Sequence, residues 1–160
     1  LEHERGGGAG FSAMAQTELH RIRKIAGKVG DGFGGKLVDD PVFQKKYASL
    51  YVEAQALSGI EEKMASMDLG SGESGTYSSM QKIVWTETVQ RICEFAVDVS
   101  GTLSLPLQLR ALVVGSGEDP IGLADTLTVM PRYLNNHAAS IYGGTNEIQR
   151  EIIAKGILGR

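Results

Sequence analysis

A chain of 160 residues with 42% hydrophobic and 22% charged residues has the size and composition of one globular domain with its own core. Its formal net charge of −3 excludes the basic footprint that binding to nucleic acid or an anionic membrane surface requires. A single cysteine, Cys93, excludes an internal disulfide, and no apolar run reaches membrane-spanning length, so a protein of the reducing cytoplasm is expected.

Phe11, Met14, Ala15, Leu19, Ile22 and Ala26 recur at helical spacing and predict a first helix over residues 9–29. The basic cluster His20-Arg21-Ile22-Arg23-Lys24 reads as its solvated face. Glycines between Gly30 and Gly35 break it. Asp39 or Asp40 before Pro41 marks the next start. A long helix then runs to about residue 67, with Phe43, Tyr47, Leu50, Ala54, Leu57 and Met64 on one face. A polar, glycine-rich loop is expected at 69–75, followed by a third helix over 76–99 carrying Met80, Ile83, Val84, Ile92, Phe95 and Val99. Residues 100–119 read as irregular, and two further helices are expected at 123–140 and 146–157.

No segment alternates with a period of two long enough for a strand. Long helices joined by short or medium loops point to an all-α antiparallel bundle. Cys93 shares an apolar helical pattern with Val89, Ile92 and Ala96, the setting of a small core residue. His3, His20 and His137 lack metal-ligand spacing, and His137 reads as a satisfied surface histidine. The run Gly6-Gly7-Gly8-Ala9-Gly10 follows no strand pattern, so it is not a dinucleotide-binding fingerprint.

The most specific stretch is Ile141-Tyr142-Gly143-Gly144-Thr145-Asn146-Glu147-Ile148. Two glycines permit a sharp turn and close approach of a ligand to the backbone. Thr145 or Asn146 can cap the helix that follows, whose first N–H groups lack partners within the helix. The residues alone allow two readings: a capped helix start, or a turn that holds an anion or a carbonyl oxygen.

Residues 141–160, reading IYGGTNEIQREIIAKGILGR, resemble the C-terminal signature of the acyl-CoA dehydrogenase family. The opening Leu1-Glu2-His3-Glu4-Arg5-Gly6-Gly7-Gly8 resembles the segment that begins that family's C-terminal helical domain. The resemblance implies an up-down four-helix bundle with a short extra C-terminal helix, formed by residues 1–160. It also implies upstream helical and β-domains in a longer chain, as the start without Met suggests, so that this piece alone is expected to be inactive.

The implied reaction is FAD-dependent α,β-dehydrogenation of an acyl-CoA thioester. Such chemistry needs a carboxylate in a dry place to remove the α-proton and a donor for the developing enolate oxygen. Many members carry the base as a Glu directly after the aromatic residue of the signature. Here that position is Gly143, which has no side chain. The family's other base position precedes an Arg at the head of the domain, which makes Glu4, followed by Arg5, the candidate base. This arrangement resembles the long-chain and isovaleryl subgroup.

By the same resemblance, Arg5, Tyr142, Gly143 and Gly144 are expected at the substrate, with the Gly143 N–H on the thioester carbonyl. Thr145, Asn146 and Glu147 are expected at FAD. The expected partners are an electron-transferring flavoprotein and further subunits, as a homodimer, a homotetramer or a hetero-oligomer. Two departures stand out. The family's Arg-x-x-Phe-Gly run, whose Arg reaches a neighbour's FAD, is here Lys28-Val29-Gly30-Asp31-Gly32-Phe33-Gly34-Gly35, without that Arg. The usual glycine loop after the third helix is here Val99-Ser100-Gly101-Thr102-Leu103. These departures leave an alternative: a non-catalytic bundle that serves assembly.

Overall fold

The computed structural model describes residues 10–67 and 72–159. Five α-helices account for most of them: α1 (Phe11–Ala26), α2 (Pro41–Ala65), α3 (Gly72–Ser100), α4 (Val129–Asn136) and α5 (Asn146–Leu158). No strand occurs among the described residues; one isolated bridge pairs Gly30 with Lys36. The architecture is the expected all-α, up-down bundle with an extra C-terminal helix, and α3 is its hub, packed against each of the other four helices.

The order follows from the apolar periodicity. On α1, Ala15, Leu19, Ile22, Ile25 and Ala26 are buried, spaced by three or four residues along one face. They meet Phe43, Leu50 and Ala54 of α2 and Ile92, Phe95, Ala96 and Val99 of α3 in one core. Fully burying a side chain such as Leu19, Ile22 or Ile25 stabilises the fold by about 1.5–3 kcal/mol each. Met14, expected in the apolar set of α1, is instead half exposed, because its position falls just off the stripe that faces α2 and α3.

Asp40 is the N-cap that starts α2: one carboxylate oxygen accepts from the Val42 and Phe43 N–H groups at 2.8 and 2.9 Å, with Pro41 in the first turn. The α1 start has no cap of its own. Glu61 of α2 accepts from the Ser12 N–H at 3.1 Å and so caps it from outside.

The third helix starts at Gly72, four residues earlier than its apolar pattern predicts, and takes in part of the segment expected to be loop. The expected helix over 123–140 is a larger correction. It is three pieces: a 3-10 turn at Ala124–Thr126, the eight-residue α4, and a second 3-10 turn at His137–Ser140. Pro131 explains the upstream break. It has no N–H for the residue four before it and is tolerated only in a first helical turn. Downstream, Gln90 of α3 donates to the Asn136 carbonyl at 3.1 Å, drawing off one of the carbonyls that end the helix.

The second 3-10 turn docks through fully buried Ala139 onto Val89 and Cys93 of α3. Burial pushes the Cys93 thiol up, consistent with a core residue rather than a nucleophile. His137 is exposed and meets Tyr133 edge-on at 4.5 Å. No described helix is long and apolar enough to cross a membrane.

Candidate functional site

The signature residues lie together where the chain turns from the 3-10 segment into α5. Upstream, the Ile141 and Tyr142 N–H groups both donate to the Ala138 carbonyl, at 2.9 and 3.1 Å. Gly143 and Gly144 then adopt φ of +67° and +87°, left-handed conformations that cost a residue with a Cβ about 1–2 kcal/mol. Thr145 returns to extended geometry and caps α5, its hydroxyl oxygen accepting from the Ile148 N–H at 3.4 Å. Of the two candidate caps, the structure selects Thr145.

The turn faces outward. Tyr142 is 55% exposed, and a Cβ built on Gly143 would meet nothing within 4 Å. Among the described residues no acceptor meets the Gly143 N–H. The Gly143 carbonyl, by contrast, accepts from Gln149 Nε2 at 3.3 Å, which holds the next peptide plane, that between Gly143 and Gly144. The result is a backbone donor on an exposed residue, of the kind that suits a carbonyl oxygen or another small acceptor.

Asn146, only 4% exposed, turns inward. Its Oδ1 accepts from Lys82 Nζ of α3 at 2.7 Å, and its Nδ2 donates to Thr86 Oγ1 at 3.1 Å. The Thr86 hydroxyl in turn donates to the Ile83 carbonyl at 3.1 Å. Partial burial pulls the Lys82 ammonium below its usual range, and the nearby Glu147 carboxylate pushes it back up. Glu147 stays exposed. Its own backbone N–H, then the Thr145 hydroxyl, hold its carboxyl below the usual range, so it is ionised at neutral pH.

Tyr142, Gly143, Gly144, Thr145, Asn146 and Glu147 therefore form one turn, with Asn146 the member whose side chain serves the protein interior. Glu4 and Arg5 lie outside the described residues. Lys82 and Thr86 escaped sequence reading. Their only local signal is a cation and a hydroxyl one helical turn apart around an apolar run, Lys82-Ile83-Val84-Trp85-Thr86. The turn's side chains fit the hydroxyl- or amide-bearing parts of a large cofactor. Phosphates fit poorly, because an ionised Glu147 at a helix N-terminus opposes a second anion there.

The family model for the acyl-CoA dehydrogenase C-terminal domain matches residues 1–158. Acyl-CoA dehydrogenase IpdE1 of Mycolicibacterium smegmatis is 31% identical over 121 residues, covering 76% of this chain and 26% of its own length. Among solved structures, the ChsE4–ChsE5 complex from Mycobacterium tuberculosis superposes with a TM-score of 0.73 at 26% identity, over 93% of this chain and 35% of that one. A glutaryl-coenzyme A dehydrogenase in complex with glutaryl-CoA gives 0.71 at 20% identity, over 99% of this chain and 36% of that one, and so speaks to the fold alone. The chain thus belongs to the acyl-CoA dehydrogenase family, as its C-terminal helical domain, and spans about a third or less of these relatives' length.

Proposed function

We propose that this chain is the C-terminal domain of an FAD-dependent enzyme that oxidises an acyl-CoA thioester to its α,β-unsaturated product. The observation that carries the reading is the Gly143 N–H, which meets no acceptor among the described residues, in a turn held from both flanks. Aimed at the thioester carbonyl, such a donor stabilises the developing oxyanion, an effect worth a few kcal/mol. Glu4 takes the α-proton, since Gly143 leaves the signature position without a base. Tyr142 and Gly144 flank the thioester, and Arg5 lies towards the CoA portion.

Bound FAD supplies the acceptor for the β-hydrogen and for the electron pair. Glu147 accepts from one of its hydroxyl or amide donors beside the capped turn of Thr145, and Asn146 holds that turn in place from within. The domain would pack with upstream domains and further subunits, identical or not, and an electron-transferring flavoprotein in the cytoplasm would take the electrons from the bound FAD.

The test is anaerobic bleaching of the flavin in the whole enzyme by a panel of acyl-CoAs. Bleaching that Glu4→Gln abolishes, with FAD content unchanged, supports the reading. A protein that binds no flavin, or is reduced by no acyl-CoA, overturns it.

A further inference from the structure

We propose that Lys82 is a positioning residue for the Gly143 N–H, acting through Asn146; the inference rests on the reading of Gly143 as the donor to the thioester carbonyl. The diglycine turn has little packing of its own: Tyr142 is exposed and Gly143 has open space where a Cβ would be. Its direction therefore depends on its flanks. Upstream, two N–H groups hold the Ala138 carbonyl beside fully buried Ala139. Downstream, α5 is fastened to α3 by Asn146 through Lys82 and Thr86, by Arg150 on Glu87 at 2.6 Å, and by Gly156 against Thr76. Of these, Asn146 is three residues from Gly143, whereas the other two lie about one and three helical turns beyond Asn146.

Lys82 is also an expensive way to hold a helix. Its partly buried ammonium gives up some of its water to meet a neutral amide oxygen, a loss that the nearby Glu147 carboxylate offsets in part, where an apolar residue of similar length would pack without it. A side chain kept at such a cost beside a candidate site fits a role in aim rather than in stability. Its bond to Asn146 Oδ1 fixes the rotamer, leaves Nδ2 for Thr86, and so sets how the first turn of α5 meets the diglycine hinge.

Lys82→Met keeps the length of the side chain and removes its donor; Thr86→Val removes the second contact at constant shape. Both are made in the whole enzyme and examined with a bound 2-enoyl-CoA whose thioester carbonyl is isotopically labelled. In the wild type the carbonyl stretch moves to lower frequency on binding. In each variant part of that shift is expected to be lost at unchanged FAD content. Flavin reduction is expected to slow by about tenfold to a hundredfold, with kcat falling more than KM rises.

A stretch and a reduction rate equal to the wild type's in folded Lys82→Met overturn the proposal. Should that variant fail to fold, Thr86→Val decides by the same spectrum: a diminished shift supports the Lys82–Asn146–Thr86 clamp, and an unchanged one rejects it. If the wild type itself shows neither carbonyl shift nor flavin reduction, it is the thioester reading of Gly143 that fails, and the role of Lys82 falls with it.

Discussion

Gly156 of α5 lies so close to Thr76 of α3 that a Cβ built on it would sit 2.4 Å from the Thr76 hydroxyl oxygen and 3.6 Å from Thr76 Cβ. The two helices meet there almost backbone to side chain. Gly156 thus sets the far end of the same α3–α5 contact whose near end is Asn146 on Lys82 and Thr86.

Replacing a glycine inside a helix with alanine normally stabilises by about 1 kcal/mol. Here the added methyl collides with a stiff, β-branched neighbour. Gly156→Ala is therefore expected to lower the unfolding temperature, whereas in a Thr76→Ala background the same change is expected to raise it. Thermal unfolding of the four proteins of this cycle gives the answer. Equal effects in both backgrounds would show that the contact is not felt.

The two signature glycines separate strain from crowding. Gly143→Ala meets empty space and suffers only from φ of +67°, so a loss of about 1–2 kcal/mol is expected. Gly144→Ala suffers similar strain and in addition meets Gln149 Nε2 at 2.6 Å. That flexible amide must swing away, releasing the Gly143 carbonyl that it now holds. Gly144→Ala is expected to be the more destabilising of the two by denaturant titration, and Gln149→Ala should close most of the gap between them.

Asp40 accepts from two N–H groups at the start of the 25-residue α2. Asp40→Ala is expected to cost about 1 kcal/mol, or a fall of about 2–4 °C in Tm for a domain of this size. Asp40→Asn or Asp40→Ser, which keep an acceptor, should recover most of it. A calorimetric scan in which alanine matches the wild type would remove the cap from the account of α2.

Asp31 ties the glycine-rich turn after α1: one carboxylate oxygen accepts from the Phe33 and Gly35 N–H groups at 2.8 and 2.9 Å. The Phe33 bond, then the Gly35 bond, hold its carboxyl below the usual range. The sign follows: a carboxyl whose folded pKa is depressed contributes stability above its ordinary value near 4, and that contribution is lost as pH falls through the folded value. An NMR titration of the Asp31 carboxyl carbon is expected to give a midpoint below that of an unstructured Asp. A midpoint at or above it would mean that the turn is not closed in solution.

Most of the bundle was legible in the chain because its determinants are local. The apolar stripe of α1 from Ala15 to Ala26, the Asp40-Pro41 start of α2 and the Thr145 cap of α5 each depend on residues within a turn or two of one another. Where two local rules compete, as around Pro131, periodicity alone overextended the helix and the missing N–H prevailed. Of the candidate site, the turn Tyr142-Gly143-Gly144-Thr145 was legible in the chain, while the chemistry proposed for it comes from resemblance to the family, and Lys82 and Thr86 gave no signal beyond their spacing.

The sequence by itself thus determined the helical class, the starts of α2 and α5 to within one residue and the diglycine turn, since these follow from backbone sterics and hydrogen bonds over a few residues. Only the tertiary structure decided that Asn146 points inward to Lys82, 64 residues away, that Glu61 caps α1 at Ser12, 49 residues earlier, and that Gly156 admits Thr76. Those pairings depend on which faces of α1 and α2, and of α3 and α5, meet and in what register. That register comes from packing the bundle as a whole, and no window of sequence carries it.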